Sequence, residues 1–169
     1  MPRLLRILSR DEGQALVETV LLFPFLLVLV LVLVEFGFAF NAFITVNSAS
    51  AEAARYAAVG GPLDDGLCSS VANPPSVEGV AVRASGDAIE CADVDVTYMK
   101  FMPGAQYVRG DAVTVRVTRT YATVTPLGDL FSAFSFGSFP AEMTLSACSE
   151  ARLERGPVDQ SGLVTGTSC

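Results

Sequence analysis

The chain has 169 residues, 51% of them hydrophobic, no histidine or tryptophan, and a formal net charge of −7. An acidic balance without a basic cluster argues against a nucleic-acid partner, and the lack of histidine removes the commonest general base and a common zinc ligand. Once the apolar N-terminal third is set aside, about a hundred residues remain, enough for one small domain and not two.

Residues 1–13 are a short lead carrying Arg3, Arg6 and Arg10. A long apolar run follows, with Glu18 near its start and no charge from Thr19 to Val34. After Glu35 the chain stays apolar through Val46, becomes small and polar through Val59, and stops at Gly60-Gly61-Pro62. Glycine then proline is a helix stop, so a continuous helix is expected over residues 14–59, about 69 Å long. Its uncharged part, residues 19–34, covers about 24 Å, slightly less than the ~30 Å hydrocarbon core. A span at about residues 19–40 is expected, and two placements are open. Glu18 and Glu35 both lie near the interfaces, or the span slides toward Val46 and Glu35 enters the membrane. A lone carboxylate at mid-bilayer costs at least ~2.5 kcal/mol, which favours the first placement for an isolated subunit. Pro24 removes one backbone hydrogen bond without arguing against a span.

Positive charge before the span and only Arg55 in the twenty or so positions after Glu35 place the N-terminus in the cytoplasm and residues 60–169 outside. Cys68, Cys91, Cys148 and Cys169 all lie beyond the span. An even number in an exported domain reads as two disulfides with three pairings open, the local pairs Cys68–Cys91 and Cys148–Cys169 being preferred because each closes a modest loop. A cleaved secretory signal would have a shorter apolar core without Glu18. A plain single-pass anchor explains the length and the arginines, but neither Glu18 nor the small-residue helix beyond the membrane.

Arg10-Asp11-Glu12-Gly13-Gln14-Ala15-Leu16-Val17-Glu18, then Pro24, Val34-Glu35-Phe36-Gly37 and Ala53-Ala54-Arg55-Tyr56-Ala57-Ala58 together resemble the TadE-like proteins, pilin-like components of the tight-adherence (Flp-type) pilus system of bacteria. The resemblance covers about residues 9 to 60. It implies cleavage by a prepilin peptidase after Gly13, which makes Gln14 the new N-terminus and Glu18 the fifth residue. Thr19 stands where family pilins usually carry tyrosine. The resemblance also implies that Glu18 meets the α-amine of a neighbouring helix. Two charges that must both leave water lose less free energy as a pair than apart, so the contact would act chiefly as a register device.

Glu35 has two readings: a partner for a cation on a neighbouring subunit or assembly-platform protein, or a marker of the outer membrane–water boundary beside Phe36, Phe38 and Phe40. The second is preferred. Ala42, Ala49, Ala53 and Ala57, with Ser50 and Ala54, form a small-residue face at three- and four-residue spacing. Such a face admits close backbone approach, to neighbouring helices or to the chain's own domain.

Beyond the helix, residues 62–76 read as a loop pinned by Cys68, and 77–83 as a first strand. Residues 89–99 alternate, with Val94, Val96 and Tyr98 opposite Asp93, Asp95 and Thr97. Residues 102–110 read as a loop. The clearest strand is 112–124, with Val113, Val115, Val117 and Tyr121 on one face. A last strand, 141–152, is expected to turn Met143, Leu145 and Ala147 inward. Turn-rich connections imply antiparallel pairing, and the outer half of the helix is the only large apolar cover for the sheet. The fold class expected is therefore α+β, pilin-like. Residues 127–140, with Leu130, Phe131, Phe134, Phe136 and Phe139, read either as core or as an exposed apolar loop for a partner or the membrane surface, core being preferred.

No catalytic constellation, phosphate loop or complete calcium loop is present in the sequence, so neither enzyme activity, a cofactor nor a metal is expected. The reading is a pseudopilin or minor pilin of the bacterial inner membrane, single-pass, with a disulfide-bonded domain outside. Its expected partners are the prepilin peptidase, other pilin-like subunits and the pilus assembly platform, in an oligomer or filament. The alternative is an unprocessed single-pass protein whose outer domain scaffolds or binds a partner in a secretion system. Neighbouring helices, in the first case, are met through Glu18, Glu35 and the alanine face.

Overall fold

The computed structural model describes residues 11–63, 75–101, 104, 106–126, 128, 142–157 and 169, with side chains from residue 14 onward. Its elements are helix α1 (Asp11–Ala58), helix α2 (Val77–Ala84), and strands β1 (Val94–Met99), β2 (Ala112–Ala122) and β3 (Glu142–Arg152), with a single 3₁₀ turn at Cys91–Asp93. A long apolar N-terminal helix plus a small antiparallel sheet makes an α+β chain, as its sequence implies. The chain divides into two compact units, Met1–Phe38 with Thr123–Ala141, and Ala39–Ala122 with Glu142–Cys169.

The helix runs through Pro24, which has no N–H to offer the Val20 carbonyl. It ends where Gly60 adopts φ +93°, a left-handed conformation that glycine reaches without a Cβ penalty. The Gly60 N–H bonds the Ala57 carbonyl at 3.0 Å, and the Gly61 N–H the Tyr56 carbonyl at 3.1 Å. The Ala58 carbonyl, orphaned by the helix end, accepts from the Glu154 N–H at 2.8 Å just after β3.

In the second unit the sheet is a meander in the order β1-β2-β3. Strand β1 pairs antiparallel with β2 from Val94↔Val117 to Met99↔Ala112, and β2 with β3 from Ala112↔Arg152 to Ala122↔Glu142. Alternation builds its buried face: Val96 and Tyr98 from β1, Val113, Val115 and Val117 from β2, Ala147 from β3. Val46, Ala49, Ala53 and Ala57 of α1 join the same core, with Val77, Ala81, Ile89, Tyr107 and Leu153. Four-residue steps of alanine put small side chains on the side of α1 that enters this core. A part-buried hydrogen bond of 2.9 Å between the Ser50 and Ser149 hydroxyls joins α1 to β3.

Three expectations are corrected. Residues 77–83 are helical, not a strand. The valines suggest a strand by propensity, but local chemistry overrides it. The Ser76 hydroxyl accepts the Gly79 N–H at 2.9 Å, Glu78 sits in the first turn and Arg83 in the last, all favourable to a helix. The buried residues Val77, Val80 and Ala81 fall at helical spacing. Met143 is 45% exposed instead of inward. Strand β1 stops at the level of Val117, so the far ends of β2 and β3 run on as a two-stranded ribbon. Asp93 also lies outside any strand: its carboxylate accepts the Glu90 N–H at 2.9 Å and closes the 3₁₀ turn.

Asp111 holds the loop before β2. Fully buried, its Oδ1 accepts the Phe101 N–H at 2.8 Å and its Oδ2 the Val108 N–H at 2.9 Å. Cys148 on β3 is bonded to Cys169, with Cα atoms 5.8 Å apart. Cys91 is also in a disulfide; Cys68, the partner preferred from sequence, lies outside the described residues. So do residues 127 and 129–140 of the phenylalanine-rich stretch.

Candidate functional site

The residues singled out for assembly lie along α1 and fall into three groups. At the inner end, Gly13 is in the first helical turns. Gln14 and Glu18 are one turn apart and exposed on a shared face with Val17, Leu21 and Leu22. Position 19 does local work: the Thr19 hydroxyl donates to the Ala15 carbonyl at 2.8 Å. From Val20 to Val34 the apolar side chains point outward around the whole helix, with Leu21 at 72% and Phe25 at 66% exposure. A helix apolar on every side and nowhere buried by its own chain along the span has the surface of a membrane span by length and composition.

Glu35 forms the second group. Its Oε1 accepts the Val124 N–H at 3.1 Å and its Oε2 the Thr125 N–H at 2.8 Å. All three residues belong to the first compact unit. The carboxylate therefore holds the backbone that leaves β2, a role contained in neither sequence reading of Glu35. Nothing local in the sequence announces it, because the donors lie about ninety positions away and are main-chain groups.

The third group is the alanine face. Ala42 is 5% exposed, and Ala49, Ala53 and Ala57 are fully buried. The last three lie in the core of their own domain. The exposed side of the same half-helix carries Phe43, Ile44, Asn47, Ser48, Glu52, Arg55 and Val59. Glu52 and Arg55 form a solvent-exposed ion pair at 3.9 Å, worth little in water.

Two buried polar groups were missed by sequence reasoning. Asp111 could have been suspected from the Arg109-Gly110-Asp111 turn, where a short carboxylate can bond nearby N–H groups. The Tyr98 hydroxyl, fully buried with no hydrogen-bond partner, gives no sequence signal. Burial pushes its pKa up to about 12, with Glu78 and Tyr107 adding to the shift. Among the described residues, no three His, Cys, Asp or Glu side chains gather as a metal site.

Residues 13–55 match the family described as TadE-like protein. That stretch lies inside residues 9 to 60, from which the resemblance to the TadE-like proteins was read, and the resemblance is borne out there. Comparison with curated proteins and with solved structures finds no match.

Proposed function

We propose that this TadE-like chain is a pseudopilin or minor pilin of a tight-adherence pilus, made as a precursor and cut by prepilin peptidase after Gly13. The observation that supports the reading is one helix, Asp11–Ala58, that matches the TadE-like family over residues 13–55, continues as an exposed apolar rod and ends inside a folded domain. The N-terminus lies in the cytoplasm, as Arg3, Arg6 and Arg10 direct, and the domain lies outside the inner membrane. Cleavage would expose the Gln14 α-amine one turn from Glu18. On a neighbouring helix that amine is the natural partner of the Glu18 carboxylate, since each charge lowers the cost of desolvating the other. The pair sets register between helices, while apolar surface supplies the contact.

The mass of the chain purified from bacterial membranes tests the reading. A chain beginning at Gln14 supports it; a chain retaining Met1 points to a permanently anchored scaffold protein instead. Glu18→Ala separates the two steps: normal cleavage with lost co-assembly supports the register role, and co-assembly like the wild type overturns it.

A further inference from the structure

The apolar surface of α1 does not stop at Glu35. Phe36, Phe38, Phe40, Phe43 and Ile44 are all between 46% and 69% exposed, with Asn41 the one polar side chain among them on the surface. The exposed side turns consistently polar only at Asn47 and Ser48. From Leu16 to Ile44 this surface is about 42 Å long, longer than the ~30 Å hydrocarbon core. A core centred on it runs from about residue 20 to about residue 40, which puts Glu35 roughly 7 Å inside the edge.

A bare carboxylate is expensive at that depth. Glu35 is not bare, since each oxygen accepts a backbone N–H, from Val124 and from Thr125. The satisfaction is mutual. Val124 and Thr125 lie outside any helix or strand, and irregular backbone is tolerated at membrane depth only where protein meets its polar groups. Glu35 meets two of them. Val124 meanwhile turns a side chain 63% exposed away from the protein, and the sequence that follows, residues 127–140, carries four phenylalanines and two leucines against a single charge, Asp129.

Resting on the membrane-spanning reading of α1, we infer that the chain returns to the bilayer after β2. Val124 and Thr125 sit beside Glu35 in the leaflet nearer Ile44, and lipid acyl chains cover the apolar surface around them. Glu35 is the polar anchor of this second membrane contact. It is a positioning residue that holds main chain.

The test uses the full chain in vesicles of phosphatidylethanolamine and phosphatidylglycerol, with a nitroxide on a cysteine introduced at one exposed position. No described cysteine is free, so the introduced thiol is the one that labels. Three positions are compared: Leu26 on the helix, Val124, and Val108 in the loop before β2, which is 44% exposed. Collisions with oxygen report lipid, and collisions with a water-soluble nickel chelate report water. Val124 is expected to match Leu26 and differ from Val108. A Val124 label reading like Val108 while Leu26 reads as lipid overturns this inference and spares the span. A Leu26 label in water overturns both. Shielding of Val124 from both reagents means that protein, such as a second copy of the chain, covers it, and also overturns the inference. In Glu35→Gln, whose amide keeps one acceptor and turns a donor toward the other N–H, the Val124 label is expected to shift toward water with Leu26 unchanged; no shift would overturn the anchoring role.

Discussion

Replacing Ala53 by leucine tests which surface the alanine face serves. Ala53 is fully buried, and so are Ala49 and Ala57 one turn to either side. All three share a core with Val113, Val115 and Val117. A leucine side chain there must push the helix off the sheet or force neighbours from their rotamers, at about 1–3 kcal/mol. For a domain of about a hundred residues that corresponds to a fall in Tm of roughly 5–20 °C. Near-UV circular dichroism in detergent micelles reads it from the packed tyrosines Tyr98 and Tyr107, whose ring centroids are 5.3 Å apart. Ser48→Leu is the control: Ser48 is exposed on the same half-helix, and its substitution should stay within about 0.5 kcal/mol of wild type. If Ala53→Leu melted like the wild type yet abolished association between copies, the alanine face would be an intersubunit surface and the packing argument would fail.

Asp111→Ala removes the buried acceptor for two part-buried N–H groups, so urea unfolding should show a loss of about 2–5 kcal/mol, with Asp111→Asn intermediate. Tyr98→Phe removes a buried hydroxyl that has no partner; stability should hold or rise by up to about 1 kcal/mol, measured by the same unfolding curves. Because the folded pKa of Tyr98 lies at about 12, above the ordinary 10.0, the unfolded chain loses that proton first as pH rises. The stabilising contribution is thus complete below pH 10.0 and disappears toward about 12. Alkaline melting of Tyr98→Phe should lack that component, and identical pH profiles for the two chains would refute the assignment.

What could be read from the sequence follows from how local each signal is. The uncharged run from Thr19 to Val34 and the strict alternation from Val113 to Val117 are local patterns that no distant partner can disguise, and both became the elements they implied. Helix α2 was hidden because its valines suggest a strand by propensity, whereas the deciding information is one hydroxyl, Ser76, placed just before them. Burial of Met143 was wrongly expected because alternation gives the face of a strand but not what covers that face at each position. The alanine face is a different case. Close approach to another helix and close approach to one's own sheet require the same small residues, so sequence could not choose between them. Glu35 was the least legible of all, because a carboxylate can be satisfied by any N–H, and every residue except proline carries one.

The consequence for assembly is that α1 cannot offer the same surface twice. With Ala49, Ala53 and Ala57 spent on the sheet, the outer half of the helix has Phe43, Ile44 and Val59 left as exposed apolar contacts. Bulky side chains hold helix axes near the wide end of the 8–10 Å packing range. Close helix approach must then come from the inner half, where a Cβ placed on Gly37 would meet nothing within 4 Å, leaving one open glycine in an otherwise large-residue surface. A contact made of large apolar side chains is strong but poorly specific in register, because leucine, valine and phenylalanine slide past one another at little cost in lipid. Register must be set by something polar and singular. Between Gln14 and Val34, Glu18 is the only charged residue, and it stands one turn from the position where cleavage would place the single new positive charge.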